Sequence, residues 1–223
     1  MRRCALLFGM VLAACGPGNG NSPGSGSNTL RIDGEASATE SVNNASSASD
    51  FGTELSVRVS KAGAPVTGAT VTIRSSCGEV ALVDAMGTGT YTGTQSTYCQ
   101  TYTLDVTSGA DRVAGVTVQG PAIHTLSTPT ERQNVSSRMA LGIAWAPRGA
   151  GETRIESRDY STTLMGDPGA SEIPMGRLRF EPGTATNERV RVTRSNSIQP
   201  AGAVTGSSFT VRIRNEVEFF TTS

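Results

Sequence analysis

The sequence predicts a mainly β protein made of two tandem antiparallel β-sandwiches, which follow a cleaved signal peptide and a flexible linker. Three observations predict this fold class. Apolar and polar residues alternate with a period of two in many short segments, which is typical of strands with one buried face. Turn signals that contain Gly or Pro separate these segments, and no stretch carries the apolar stripe of a helix. Apolar residues are only 36% and charged residues 17% of the chain, and Ser, Thr and Gly make up the difference.

The alternating segments mark the predicted strands. They are centred on Leu55/Val57/Val59, Ala69/Val71/Ile73, Tyr102/Leu104/Val106, Val190/Val192 and Phe209/Val211/Ile213. The turn signals between them include Gly63–Pro65, Asp84–Gly87, Pro147–Gly151 and Asp167–Gly169. Many short strands joined by such turns are the pattern of β-sandwiches.

Composition divides the chain into four segments. Residues 1–14 form a leader. Residues 15–28 begin with Cys15 and are otherwise almost wholly Gly, Ser, Asn and Pro, so we expect a flexible tether there. A polar stretch that contains Pro129 separates two strand-rich halves, which places one sandwich at residues 29–126 and a second at residues 127–223. One continuous sandwich is the alternative.

The leader ends in a candidate lipid-attachment site. Arg2 and Arg3 precede an apolar stretch, Ala5–Ala14, whose helix would reach about 15 Å and is too short to cross a bilayer. The run Leu12–Cys15 resembles the lipobox of bacterial lipoprotein signal peptides. The resemblance implies a diacylglycerol on the Cys15 thiol, cleavage before Cys15, and an acyl chain such as palmitate on the new amine. Ordinary signal-peptidase cleavage after the preceding alanines is the alternative.

The lipobox resemblance also implies a location. Lipid on Cys15 would anchor the protein in the bacterial cell envelope, because two or three acyl chains bind a membrane firmly where one exchanges. Gly16 follows the cysteine, which by the sorting rule of enteric bacteria implies the outer membrane.

The charge of the mature chain bears on its partners. Loss of Arg2 and Arg3 with the leader leaves 17 basic and 19 acidic side chains, a charge of about −2. We therefore expect no nucleic-acid partner. The expected partners are the membrane and an envelope or surface protein or a glycan.

Part of the first half resembles the Ig-like or transthyretin-like repeats of bacterial surface proteins. The segments that carry the resemblance are Gly63–Ile73, Asp84–Gly93 and Tyr102–Val106, and it extends from about Phe51 to Leu126. It implies an Ig-like β-sandwich for residues 29–126. It implies little about function, because its motifs are turn and core positions. The second half is sandwich-like but resembles no named family.

Two cysteines remain beyond the leader and the lipobox. Cys77 and Cys99 form an even pair in an exported chain, which predicts a disulfide. On the chain-entropy account, closing a loop of about 23 residues contributes roughly 3 kcal/mol. Metal binding by the two thiolates is the alternative, although no neighbouring His completes such a site.

No residue set points to catalysis, a cofactor or a metal. His124 is the only histidine, and no serine lies in a recognisable nucleophile context, so we interpret it as a polar strand residue. Trp145 is expected in the core. Oxygens of Asp159, Asp167 and Glu172 could bind calcium, with turn capping as the favoured alternative.

Two sets of side chains are candidates for binding. Tyr91 and Tyr98 lie beside the disulfide loop and are candidate glycan contacts. The second half is rich in arginine, with Arg154, Arg158, Arg177, Arg179, Arg189, Arg191, Arg194, Arg212 and Arg214. We interpret these arginines as a solvated sheet face with cross-strand ion pairs, and an anionic-ligand site is the alternative.

The sequence therefore favours a non-catalytic, lipid-anchored envelope or surface protein that acts as a binding or structural module. Strand addition at a sandwich edge is one mode of binding. A carbohydrate-binding or adhesive lipoprotein is the alternative. An envelope hydrolase that uses paired carboxylates is the third candidate.

Overall fold

The computed structural model describes residues 20–182 and 184–222, so the predicted leader and Cys15 lie outside the described residues. The regular structure there is almost wholly β, with one 3-10 turn at Ala48–Asp50. The strands are β1 (Ser25–Gly26), β2 (Leu30–Glu40), β3 (Phe51–Lys61), β4 (Ala64–Pro65), β5 (Thr70–Ser75), β6 (Gly78–Leu82), β7 (Thr90–Gln95), β8 (Thr101–Ser108), β9 (Asp111–Gln119), β10 (Thr125–Thr128), β11 (Asn134–Ser136), β12 (Leu141–Ala146), β13 (Glu152–Glu156), β14 (Ser161–Leu164), β15 (Ala170–Ile173), β16 (Thr186–Ile198) and β17 (Ser208–Thr222). No helix in this part of the chain is long and apolar enough to cross a membrane.

The strands form three sheets. The largest has nine strands in the order β14-β13-β16-β17-β2-β3-β4, with β7 beside β3 and β11 beside β17. The others are a five-stranded sheet, β1-β9-β8-β5-β6, and a three-stranded sheet, β10-β12-β15. Most pairs are antiparallel, as predicted, but β17 runs parallel to both β2 and β11. The predicted mainly β fold, built of several packed sheets, is confirmed.

Each of the two smaller sheets packs against a different part of the large sheet. The first core lies between the five-stranded sheet and the β2–β3 region, where Val57, Val59, Leu104 and Val106 are fully buried. The second core lies between the three-stranded sheet and the β13–β16 region, and it includes Trp145. The alternation in the sequence determines which side chains enter each core, since successive side chains of a strand point to opposite faces.

β17 belongs to both cores. Phe209 and Ile213 are buried in the first core, and Val217 and Phe219 of the same strand are buried in the second. The inward face continues without interruption because alternate side chains are buried along the 15 residues of β17. The boundary predicted between residues 126 and 127 therefore does not divide the large sheet, since the last strand returns to the first core.

The second part of the predicted flexible linker is ordered. β1 pairs with β9, and it lies so close to its neighbours that a Cβ on Gly26 would be 2.3 Å from the Arg112 carbonyl oxygen and 2.6 Å from that of Gly202. Glycine here permits a close approach of three backbone segments, rather than flexibility. The linker prediction is wrong for residues 20–28, and residues 15–19 lie outside the described part of the chain.

Candidate functional site

The predicted disulfide is confirmed. Cys77 and Cys99 are bonded, with their Cα atoms 6.0 Å apart. The bond ties the turn between β5 and β6 to the segment before β8, and Cys99 is buried. With both sulfurs in the bond, the alternative of metal binding by two thiolates is wrong.

The candidate glycan contacts are core residues instead. Tyr91 and Tyr98 are only 2% and 4% exposed. The Tyr98 hydroxyl donates to the Pro121 carbonyl at 2.6 Å, and the Tyr91 hydroxyl donates to the Val66 carbonyl at 2.9 Å. Burial raises the pKa of Tyr98 above its usual value. Neither ring is accessible to a ligand.

A buried ion pair lies where the two cores meet. The Arg194 Nη2 atom is 2.5 Å from Asp167 Oδ2, and the two side chains are 2% and 1% exposed. Arg194 Nη1 also donates to the Ala122 carbonyl at 3.0 Å, and Trp145 Nε1 donates to Asp167 Oδ1 at 2.7 Å. The core position predicted for Trp145 is confirmed. The pair fixes the β14–β15 loop and the segment before β10 against β16.

His124 lies beside this ion pair and is fully buried. Its Nε2 atom is 3.0 Å from the Val192 carbonyl oxygen, which can only accept, so Nε2 carries the proton of the neutral ring. Burial and then the charge of Arg194 lower the pKa of His124 from 6.5 to about 4. The neutral imidazole therefore has a structural bond to the backbone and no contact with solvent.

Two asparagine side chains complete the junction. The Asn215 amide group donates to the Ala45 and His124 carbonyls at 2.8 and 2.6 Å, and its oxygen accepts from the Ala45 N–H at 2.9 Å. The Asn44 amide bonds both the N–H and the carbonyl of Leu126 at 2.8 and 2.9 Å, as a neighbouring strand would. Both side chains join a loop of the first sandwich to the start of the second.

A second buried charge lies deeper in the second sandwich. Glu188 of β16 is fully buried, and its carboxylate accepts from the backbone N–H groups of Arg179 and Arg189 at 3.1 and 2.9 Å. The Arg158 Nε atom lies 3.6 Å from the same carboxylate. The carboxylate therefore organises three segments of backbone around one anion.

The interpretation of the arginines holds for most of them but not for Arg194. Four of the outward pairs join neighbouring strands: Arg189–Glu216, Arg191–Glu216, Arg212–Glu35 and Arg214–Glu40. Arg154 pairs with Glu156 of its own strand, β13. Arg179 pairs with Glu181, and Arg177 is exposed. The alternation in the sequence could have identified Arg194 as buried. Glu188 and Arg194 lie on the same face of β16 as Val190 and Val192, and this is the buried face.

The calcium candidates are not brought together. Asp167 is committed to Arg194 and Trp145, whereas Asp159 and Glu172 are exposed. Within residues 20–182 and 184–222, no group of three His, Cys, Asp or Glu side chains is placed to hold a metal ion.

An open cleft lies directly above the buried ion pair, and we call it the junction cleft. Its volume is about 480 Å³. It is lined by Asn21, Gln100, Gln119, Gly120, Pro121, Ala122, Arg148, Gly149, Ala150, Gly151, Arg194, Asn196 and Ser197. None of these residues is an aspartate or a glutamate.

Glycines let the loops of the cleft close over its two arginines. A Cβ on Gly149 would lie 2.4 Å from Arg194 Nη2, so this backbone covers the buried guanidinium. A Cβ on Gly169, where φ is +76°, would lie 2.6 Å from Arg148 Cγ and Nε. The stem of Arg148 is thus packed against the β14–β15 loop and does not extend freely into solvent.

Comparisons with known proteins identify no family. No protein-family model and no curated protein matches this chain. Among solved structures, it is similar to a chimeric titin Z1Z2-Z1Z2 tandem functionalised with a GRGDS exogenous peptide from fibronectin. The two are 12% identical over 90% of this chain and 100% of that chain, with a TM-score of 0.25, and a similarity of this degree carries no argument.

Proposed function

We propose that this protein is a non-catalytic lipoprotein of the bacterial cell envelope, anchored by lipid on Cys15, whose β-sandwiches act as a binding or structural module. The observation that carries the non-catalytic part is the burial of the interior polar groups against protein partners. The carboxylates of Asp167 and Glu188, the Arg194 guanidinium and the His124 ring are all buried, and each makes at least one bond to a protein group. In the described structure, only Nε of Arg194 and Nδ1 of His124 among their nitrogen atoms are buried without a hydrogen-bond partner.

This engagement favours a module over a hydrolase. A general acid or base must reach the proton that it transfers, within hydrogen-bond distance of a bound substrate. Burial raises the pKa of Tyr98 and lowers that of His124, and both side chains face the protein interior, where their partners are backbone carbonyls. The hydrogen bonds of these buried side chains therefore stabilise loops.

The proposed lipid anchor rests on the lipobox resemblance. Covalent geometry limits how far the first described residue can lie from the lipidated cysteine. Gly20 is the first described residue, and five residue steps separate it from Cys15. Even a fully extended chain of that length spans at most about 18 Å. Lipid on Cys15 would therefore keep Gly20, which lies beside Gln119, close to the membrane surface. Gly16 follows the cysteine, and by the sorting rule of enteric bacteria this favours the outer membrane.

The proposed partner is an envelope or surface protein. Among the described strands, β14 and β15 each lie at one end of a sheet and pair on one side only, as β1, β4, β6 and β10 also do. Such strands present backbone groups to which a partner strand can add. A glycan is less favoured, because none of the strongly exposed large apolar side chains in the described residues is aromatic.

Metabolic labelling with a palmitate analogue tests the anchor. We expect label on the wild-type protein and on Cys4→Ser, because Cys4 leaves with the leader. Cys15→Ser should lose both the label and the association with membranes. Equal labelling of the two variants, or label on neither the variants nor the wild type, would contradict the anchor.

Site-specific photocrosslinking in cells tests the partner. Crosslinkers at Thr163 of β14 and Glu172 of β15 should give a reproducible protein adduct, whereas one at Glu54 of the internal strand β3 should not. Retention of the protein on purified envelope glycan, with no adduct at either edge position, would favour the carbohydrate-binding alternative instead.

A further inference from the structure

We propose that the junction cleft is a binding site for a phosphate group, supplied by a lipid headgroup or by a free phosphate. Only the choice of a lipid as the source rests on the proposed function. The site itself rests on the charges, the backbone donors and the packing of the cleft.

The cleft carries one uncompensated positive charge. Arg148 is exposed, and among the described residues no carboxylate lies within salt-bridge distance of it, unlike the outward arginines of the large sheet. The charge of Arg194 is offset by Asp167 beneath the floor of the cleft. No Asp or Glu lines the cleft. An anion is therefore the ligand that its electrostatics favour.

Backbone donors lie next to that charge. In the described part of the chain, the N–H groups of Arg148, Gly149 and Ala150 donate to no main-chain carbonyl. Successive N–H groups of a glycine-rich loop form a concave donor site for phosphate oxygens, and an adjacent guanidinium adds charge-assisted hydrogen bonds. The Arg194 Nε atom is also buried without a partner in the described structure.

The arrangement is fixed before any ligand arrives. Gly149 is pressed against the Arg194 guanidinium, and Gly169 is pressed against the stem of Arg148. The Asn196 side chain lies against Gly151, and its amide donates to the Gln119 carbonyl at 2.7 Å. A preorganised donor set loses little freedom when it binds.

The nearest phosphates would be those of the membrane. Asn21 lines the cleft and is adjacent to Gly20, which a lipid on Cys15 would hold within about 18 Å of the bilayer. Headgroup phosphates at the bilayer surface would then be at high local concentration beside Arg148.

Calorimetric titration of the lipidated protein in neutral detergent micelles tests the site. Inorganic phosphate is the first ligand, and a short-chain phosphatidylglycerol is the second. We expect binding that Arg148→Gln weakens by about tenfold or more, because a charge-assisted hydrogen bond is lost. Arg138→Gln is the matched control, since Arg138 is also exposed but precedes β12, whereas Arg148 follows it. The control should bind as the wild type does.

The outcomes separate the parts of the proposal. Tighter binding of the phospholipid identifies the headgroup as the source, and equal binding identifies free phosphate. No binding of either ligand, or equal effects of Arg148→Gln and Arg138→Gln, would overturn the site. Phosphate binding that depends on Arg148 in a protein that carries no lipid label would leave the site standing and remove the anchor. Unchanged thermal unfolding of Arg148→Gln confirms that the variant is folded.

Discussion

In the described residues, the first core contains 25 buried apolar side chains, and the buried polar residues Thr53, Ser207 and Asn215 beside it are uncharged. The second core contains 12 buried apolar side chains and lies against Glu188. The Arg194–Asp167 pair lies where the two cores meet, and Asp167 is bonded to Trp145 of the second core. The first sandwich also has the disulfide. The second fixes its loops through buried charges, which stabilise a fold only while they remain paired. We therefore expect the two sandwiches to fail for different reasons.

The largest effect should follow from breaking the buried ion pair. Arg194→Met leaves the Asp167 carboxylate buried without a cation, which should lower the free energy of unfolding by roughly 3–5 kcal/mol. Chemical denaturation measures the change. Adding Asp167→Asn should restore part of it, because the amide oxygen can still accept from Trp145 and no charge is left unpaired. A double variant that is no more stable than Arg194→Met would contradict this explanation.

Removing the disulfide should weaken the first sandwich. Cys77→Ala with Cys99→Ala opens a loop whose ends are 22 residues apart, and the chain-entropy account predicts a loss of roughly 3 kcal/mol. Denaturation of the double variant, compared with the oxidised wild type, tests the value. Stability equal to that of the oxidised wild type would show that the bond adds nothing.

Acid should destabilise the protein through His124. The pKa of His124 is lowered from 6.5 to about 4 by burial, so the unfolded state binds a proton over a pH range where the folded state does not. The stability that depends on neutral His124 is complete above pH 6.5 and is lost as the pH falls towards 4. The loss should reach about 2 kcal/mol at pH 5. His124→Gln should flatten this part of the pH profile, and an unchanged slope in the variant would assign the effect to other groups.

A smaller effect is expected from the ordered end of the linker. Gly26→Ala would place its Cβ 2.3 Å from the Arg112 carbonyl oxygen, so the strand must shift at a cost of about 1–3 kcal/mol. Gly52→Ala is the control, because a Cβ there meets nothing within 4 Å. Equal stability of the two variants would mean that residues 20–28 do not pack as described.

The smallest effect is expected on the outer face of the large sheet. The Arg212 and Glu35 side chains are 46% and 35% exposed, and exposed ion pairs contribute at most about 1 kcal/mol. Arg212→Gln should therefore change the denaturation midpoint little, and less in high salt. A loss comparable to that of Arg194→Met would remove the distinction between exposed and buried charge.

The sequence was informative where local pattern decides structure. The alternation at Leu55–Val59 and Phe209–Ile213 predicted strands that are present, and the even cysteine count predicted the disulfide. The parallel pairing of β17 with β2 was beyond such reasoning, because pairing between distant strands leaves no local signal.

Two errors have a common physical origin, since both came from composition. The glycine content of residues 15–28 predicts a flexible linker, although Gly26 permits a close backbone approach. The abundance of arginine predicts a solvated position for Arg194, although its phase with Val190 and Val192 places it inside. Tertiary contacts decide both cases, and the phase of a charged residue within a strand is the signal that identifies the second one.

Hydrogen-exchange mass spectrometry of Arg194→Met against the wild type tests most directly whether buried charge supports the second core alone. We predict loss of protection in β12 and β13 and in the middle of β16, with β3 and β8 unchanged. Equal loss of protection in β3 and β8 would contradict the account, because the two cores would then depend on the same interactions.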